Sequence, residues 1–130
     1  ALNAMLVFDA VIFNTDRHFG NFGFMVNNKT NKITASAPLF DHGNALFNYA
    51  GRDDLETFAA LEAYAATLMP CTYDDFTGTA KKALTPELRE GVRHLLGFKF
   101  KKHPRYNLPD KRLKLMEQFV QKQARVLLEK

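Results

Sequence analysis

The amino-acid sequence predicts a mainly α-helical domain carrying one small β-hairpin, on three observations. Apolar residues recur at helical spacing at both ends of the chain. Thr85-Pro86-Glu87 spells a helix start, with a capping hydroxyl, a proline in the first turn and an acid facing the helix dipole. Only residues 22–37 alternate apolar and small or polar side chains, around the polar turn Asn27-Asn28-Lys29-Thr30-Asn31-Lys32.

In chain order, residues 1–13 predict a helix buried on most sides, ended by Asn14 and Thr15, which are poor helix-interior residues. It opens without a capping residue, so a chain cut from something longer is expected. Strands follow at 22–26 and 33–37: Phe22, Phe24 and Val26 share one face, Gly23 and Met25 the other, and Pro38 ends the pairing. Residues 44–52 have no period and predict a loop. Asp53 and Asp54 read as the cap and first turn of a helix over about 54–68, stopped by Pro70. Thr72 can cap a shorter helix to about Leu84. The helix opened at Thr85 runs to about Leu96, with Gly97 in the left-handed position beyond its end. Residues 98–107 form a basic, aromatic connector. The last helix, about 110–129, presents a stripe of Leu113, Met116, Val120 and Leu127, widened by Leu115, Phe119 and Val126.

At 130 residues the chain is one domain by size. Residues 1–80 hold four Lys+Arg against nine Asp+Glu, and residues 81–130 hold fourteen against five, giving halves of −5 and +9. A basic second half suits an acidic partner, nucleic acid or another face of a parent protein, although a solvated lysine-rich helical surface is the simpler explanation. No apolar run is long enough to span a bilayer, because Asn3 and Asp9 interrupt the first helix, and no membrane partner is expected. That segment also lacks a basic n-region and a recognisable cleavage site, so it is not expected to be a signal peptide. The single cysteine, Cys71, excludes an intramolecular disulfide, and a cytoplasmic setting is expected.

The residues that carry chemistry cluster at Asn14-Thr15-Asp16-Arg17-His18-Phe19-Gly20-Asn21 and at Asp41-His42-Gly43. A hairpin between them returns its ends to neighbouring-strand distance, roughly 5 Å. Asp16, Asn21 and Asp41 are therefore expected to converge. Two carboxylates and an amide in one pocket suit Mg²⁺ and a transferring phosphate. The competing reading is that Asp16 and Asn21 merely stabilise a turn through side-chain to backbone hydrogen bonds.

Asp-Arg-His-x-x-Asn followed by Asp-x-Gly resembles the catalytic and metal-binding loops of the protein-kinase-like superfamily. Asn14-Thr15-Asp16-Arg17-His18-x-x-Asn21-Phe22-Gly23, with Pro38-Leu39-Phe40-Asp41 and an aliphatic helix in front, is similar to the C-terminal region of HipA-like serine/threonine kinases. The similarity covers about residues 8–46, with a weaker echo at His103-Pro104-Arg105-Tyr106-Asn107. It implies a kinase-like C-terminal lobe, a helical bundle whose hairpin carries the catalytic and metal loops. It also implies transfer of the ATP γ-phosphate to a protein hydroxyl, with Mg²⁺ as cofactor. Asp16 would take the hydroxyl proton, His18 would hold the loop or assist at the phosphate, and Asn21 and Asp41 would hold the metal and nucleotide phosphates. Asn14 would brace the loop. A DNA-binding antitoxin is the partner such kinases often have.

No Gly-x-Gly-x-x-Gly occurs and no lysine precedes Lys29, so the N-terminal ATP-binding lobe is absent from these residues. The fragment alone is expected to be inactive, and the face of the first helix and hairpin turned to that lobe is expected to expose apolar surface. Alternatives are a lipid-kinase-like phosphotransferase, which shares Asp-Arg-His-x-x-Asn, and a non-catalytic kinase-like module binding a partner through its basic half. A zinc site of His18, His42, Asp16 and Asp41 lacks a recognisable spacing; His42 is expected to pack. The lysines among Phe98, Phe100 and Tyr106 could hold single-stranded nucleic acid, but those aromatics are expected to anchor the connector to the core instead. Gly20 and Gly23 either permit backbone close to a ligand or a bulge or are plain turn glycines, and Cys71 reads as a buried, inert thiol.

Overall fold

In the computed structural model, which describes residues 2–129, five helices accompany one two-stranded antiparallel sheet. The order is α1 (Leu2–Ile12), β1 (Phe24–Val26), β2 (Ile33–Ser36), α2 (Phe58–Ala65), α3 (Phe76–Ala83), α4 (Pro86–Arg93) and α5 (Asp110–Leu128). The mainly helical reading with one hairpin holds; Ala1 and Lys130 lie outside the described residues. Among these, no helix is long and apolar enough to cross a membrane.

α1 buries Met5, Val7, Ala10, Val11 and Ile12 against α3 and α5. It ends in a Schellman turn: Phe13 takes a left-handed φ of 50° and the Asn14 N–H returns to the Asp9 carbonyl at 3.0 Å. A bulky residue there costs about 1–3 kcal/mol of backbone strain. Packing offsets it, since the Phe13 ring stacks on Phe76 at 4.4 Å and meets Phe119 edge-on at 4.8 Å. Phe13 thereby joins two cores, one among α1, α3, α4 and α5, the other gathering Phe47, Leu61, Ala65, Leu115 and Phe119.

Helix starts follow the local capping chemistry, with two corrections. Thr57, not Asp53, caps α2 by accepting from the Ala60 N–H at 3.1 Å. Asp53–Leu55 forms only a 3-10 turn, and Asp54 accepts from the Gly51 N–H instead. Asp75, not Thr72, caps α3; Thr72 is spent on the Arg17 carbonyl at 3.1 Å. Thr85 caps α4 as expected, accepting from the Leu88 N–H. Beyond α4 the chain tightens into a 3-10 turn at His94–Gly97, so Gly97 needs no left-handed conformation and has none. On α5 the buried stripe is Leu115, Met116, Phe119, Val120, Gln123, Ala124 and Leu127, which leaves Leu113 and Val126 at its margins.

The hairpin is shorter than expected and uncovered. Phe24 pairs with Ser36 and Met25 with Ala35, and an irregularity between Met25 and Val26 breaks the alternation of faces. Every residue of β1 is exposed. With Leu2, Ala4, Met5, Pro38 and Leu39, Phe24 lines an apolar cleft of about 250 Å³ between the hairpin and α1.

Candidate functional site

The site is built on a buried ion pair. α1 carries Asp9 into the core, where an unpaired carboxylate would be prohibitive. Arg17 meets it in a fork: Nε donates to Oδ2 at 2.8 Å and Nη2 to Oδ1 at 2.9 Å. Neither side chain sees appreciable solvent. The hydrogen bond to Asp9 holds the Arg17 guanidinium above its ordinary pKa, against the opposing pull of burial; the charge of Asp41 adds in the same direction. The remaining nitrogen, Nη1, donates at 2.9 Å to both the Asn21 and the Phe40 carbonyls. One guanidinium thus ties the first helix, the 16–21 loop and the residue preceding Asp41.

Within that loop the buried polar side chains are spent on main-chain groups and on the Asp9 carboxylate. Asn14, fully buried, donates to Asp9 Oδ1 at 3.2 Å and accepts from the Asp16 N–H at 3.1 Å, so it braces the loop. The Asn21 amide donates to the Asp16 carbonyl at 2.6 Å and accepts from the His18 N–H at 3.0 Å. His18 Nδ1 accepts from the Gly20 N–H at 3.0 Å, capping a 3-10 turn at Phe19–Asn21. This bond assigns the His18 proton to Nε2, which lies 3.9 Å from Asp16 Oδ2. A Cβ at Gly20 would stand 2.9 Å from His18 Cε1, so the glycine there makes room for the histidine.

The second loop is stitched to the first on both sides of Asp41-His42-Gly43. Before it, Phe40 accepts from Arg17; after it, the Asn44 carbonyl accepts from the Thr15 N–H at 3.0 Å and the Leu46 N–H donates to the Ile12 carbonyl at 2.7 Å. Asp41, Leu46 and Phe47 take left-handed φ values of 58°, 49° and 61°. Phe47 is buried while Asp41 is exposed, so the strained turn sends an aromatic inward and leaves the carboxylate in solvent. His42 packs edge-on against Phe8 at 5.4 Å, and its buried Nε2 has no partner among the described residues.

The fold therefore brings the two loops together and presents two open carboxyl groups, Asp16 being about half exposed. Oxygen donors of this kind suit a hard cation. Asp41 is open to one; Asn21 is 1 % exposed and its amide oxygen is engaged by His18. The turn-stabilising role accounts for the two short hydrogen bonds of the Asn21 side chain, and Arg17 Nη1 adds a longer one to its oxygen at 3.5 Å. Among the described residues no three His, Cys, Asp or Glu side chains gather as a metal cluster, so His18, His42, Asp16 and Asp41 make no zinc site.

Sequence reasoning passed over Asp9 and the reach of Arg17. The available signal was a lone acid inside an otherwise apolar helix, which demands a buried cation nearby. Cys71 is exposed, contrary to expectation, in the bend that follows the buried Pro70 after α2. In the connector Phe98 does pack on the first core, whereas Tyr106 is 78 % exposed and stacks on His103. Compared with protein-family models, with curated proteins and with solved structures, the chain matches none.

Proposed function

We propose that this chain is the catalytic-loop portion of a HipA-like serine/threonine kinase, a helical lobe that acts with an ATP-binding lobe outside these residues. The observation that carries the reading is the bracketing of Asp41-His42-Gly43 by bonds from Arg17 and Thr15, which flank Asp16. Loops separated by a hairpin are thereby held as one unit, as a phosphotransfer site requires.

In this reading the Asp16 carboxylate, half exposed and beside His18 Nε2, accepts the proton of the attacking hydroxyl. His18 fixes the 3-10 turn and lends Asp16 a neighbouring N–H. Asp41 is the group that holds Mg²⁺, and Asn21 is the strut that keeps the Asp16 main chain in place. Mg²⁺ supplies neutralisation of the phosphate charge when bound.

The test joins the chain to its ATP-binding lobe and follows transfer of labelled γ-phosphate to protein. Asp16→Ala and Asp41→Asn are each expected to abolish transfer while the fold persists. Transfer unaffected by both substitutions overturns the reading and leaves a non-catalytic module.

A further inference from the structure

We infer that the cleft between the Asn44–Asn48 segment, the basic connector and α5 binds an extended acidic segment of a partner protein. The cleft holds about 610 Å³, within the range of sites that enclose a ligand. Its lining is largely apolar, with Leu46, Phe100, Leu113 and Met116 among it, and carries Lys101 and Arg112 with no acidic residue. Neither cation has a carboxylate partner among the described residues. Arg112 places Nη2 on the Phe47 carbonyl at 2.9 Å and leaves its buried Nε with no acceptor. Lys102, by contrast, is already occupied by Asp110 at 2.7 Å.

Two further observations define the occupant. A second cleft of about 570 Å³ shares Leu108 and Arg112 with the first and adds Arg52 and Lys111. Its one acid, Glu56, pairs with Lys111 at 3.5 Å. Two adjoining clefts with excess positive charge fit an extended polymer rather than a compact anion. The aromatic lining of the first cleft is broken up: Phe100 meets Phe98 edge-on at 4.9 Å, and the exposed Tyr106 ring has one face covered by His103, 5.6 Å away. Single-stranded nucleic acid needs successive open aromatic faces, whereas an acidic peptide needs apolar pockets edged by cations. The wall itself is rigid, since Asn107 both accepts from the His103 N–H at 2.8 Å and donates to its carbonyl at 2.7 Å. The binding face therefore costs little ordering.

Fluorescence polarisation with the intact chain tests this. Three labelled probes are compared: a peptide of about twelve residues, an extended length of ~40 Å, rich in Glu with two leucines; its Glu→Gln counterpart; and an oligothymidylate of equal charge. Saturable binding of the acidic peptide is expected, at least tenfold tighter than either other probe. Lys101→Glu, an exposed and unpaired position, is expected to weaken it about tenfold, the effect of one lost charge contact. Lys82→Glu on α3, outside the cleft, is expected to change it less than twofold. Lys101→Gln serves if circular dichroism shows the charge reversal to be misfolded. The inference fails if no saturable binding occurs, if the Gln peptide or the oligonucleotide binds equally well, or if Lys82→Glu weakens binding as much as Lys101→Glu.

Discussion

Arg17 grips Asp9 through two parallel hydrogen bonds of 2.8 and 2.9 Å, with both side chains closed to solvent. The pair is the hinge pin of the candidate site, because the same guanidinium reaches the Asn21 and Phe40 carbonyls. Removing one partner strands the other charge. Asp9→Ala is therefore expected to destabilise the fold by about 3–5 kcal/mol, read from urea unfolding. Asp9→Leu with Arg17→Met should be far less damaging than either change alone. Single and double variants of equal stability would contradict the clasp.

Asn21 and Asp41 are expected to separate stability from chemistry. Asn21 is buried with its amide engaged, so Asn21→Ala should cost about 1–3 kcal/mol of unfolding free energy. Asp41→Asn keeps a residue tolerant of the left-handed conformation at an exposed position, and should stay within about 0.5 kcal/mol of the parent. A destabilising Asp41→Asn with a neutral Asn21→Ala reverses the assignment.

Gly20→Ala is expected to dislodge His18, because the added Cβ falls 2.9 Å from the imidazole carbon that must stay for Nδ1 to accept from Gly20. The measurement is the chemical shift of the Gly20 amide partner pair by NMR. Loss of the hydrogen-bonded imidazole signature with the α1 core resonances unmoved is the predicted outcome. An unchanged His18 ring would mean the turn can widen at no cost.

Tyr73 supplies a pH test. Burial raises its phenol to about 12, with the negative charge of Asp9 acting in the same direction, and its hydroxyl has no partner. Its folded pKa lies above the ordinary value of about 10, so the neutral form is the one the fold favours. Its contribution is fully present below pH ~10 and is lost as pH rises toward ~12. Absorbance titration of the phenolate and thermal unfolding across that window should show the loss, and Tyr73→Phe should remove it. Since the hydroxyl is buried and unpaired, Tyr73→Phe should be neutral or stabilising near pH 7.

The open hairpin is expected to drive self-association. Phe24, Met25, Val26 and Ile33 are each about half exposed or more and adjoin the apolar cleft beside α1. Sedimentation should show association that Met25→Lys with Ile33→Lys suppresses. A strictly monomeric parent at high concentration would contradict this.

Local chemistry was legible in the residues, and long-range pairing was not. Thr85-Pro86-Glu87 announces α4 because capping is decided within four residues, and the alternation around Asn27–Lys32 announces the hairpin for the same reason. Where two local signals compete, tertiary contacts decide. Asp53 and Thr72 are acceptable caps, yet Thr57 and Asp75 stand one residue before helices whose apolar faces meet the core. The left-handed turns at Phe13, Leu46 and Phe47 carry no glycine to announce them; aromatic burial across two cores sets them. At the site, the meeting of the two loops was readable from the hairpin. The spending of Asn21 on its own turn was readable only as the competing alternative.

Manganese, a paramagnetic substitute for Mg²⁺, tests the central claim most directly through the broadening of backbone amide signals in this chain. Residues 41–43 and 16–21 are expected to broaden together at low metal concentration, and Asp41→Asn to remove the effect from both. Broadening confined to the acidic turn at Asp53–Leu55, or spread evenly over the exposed carboxylates, would contradict it.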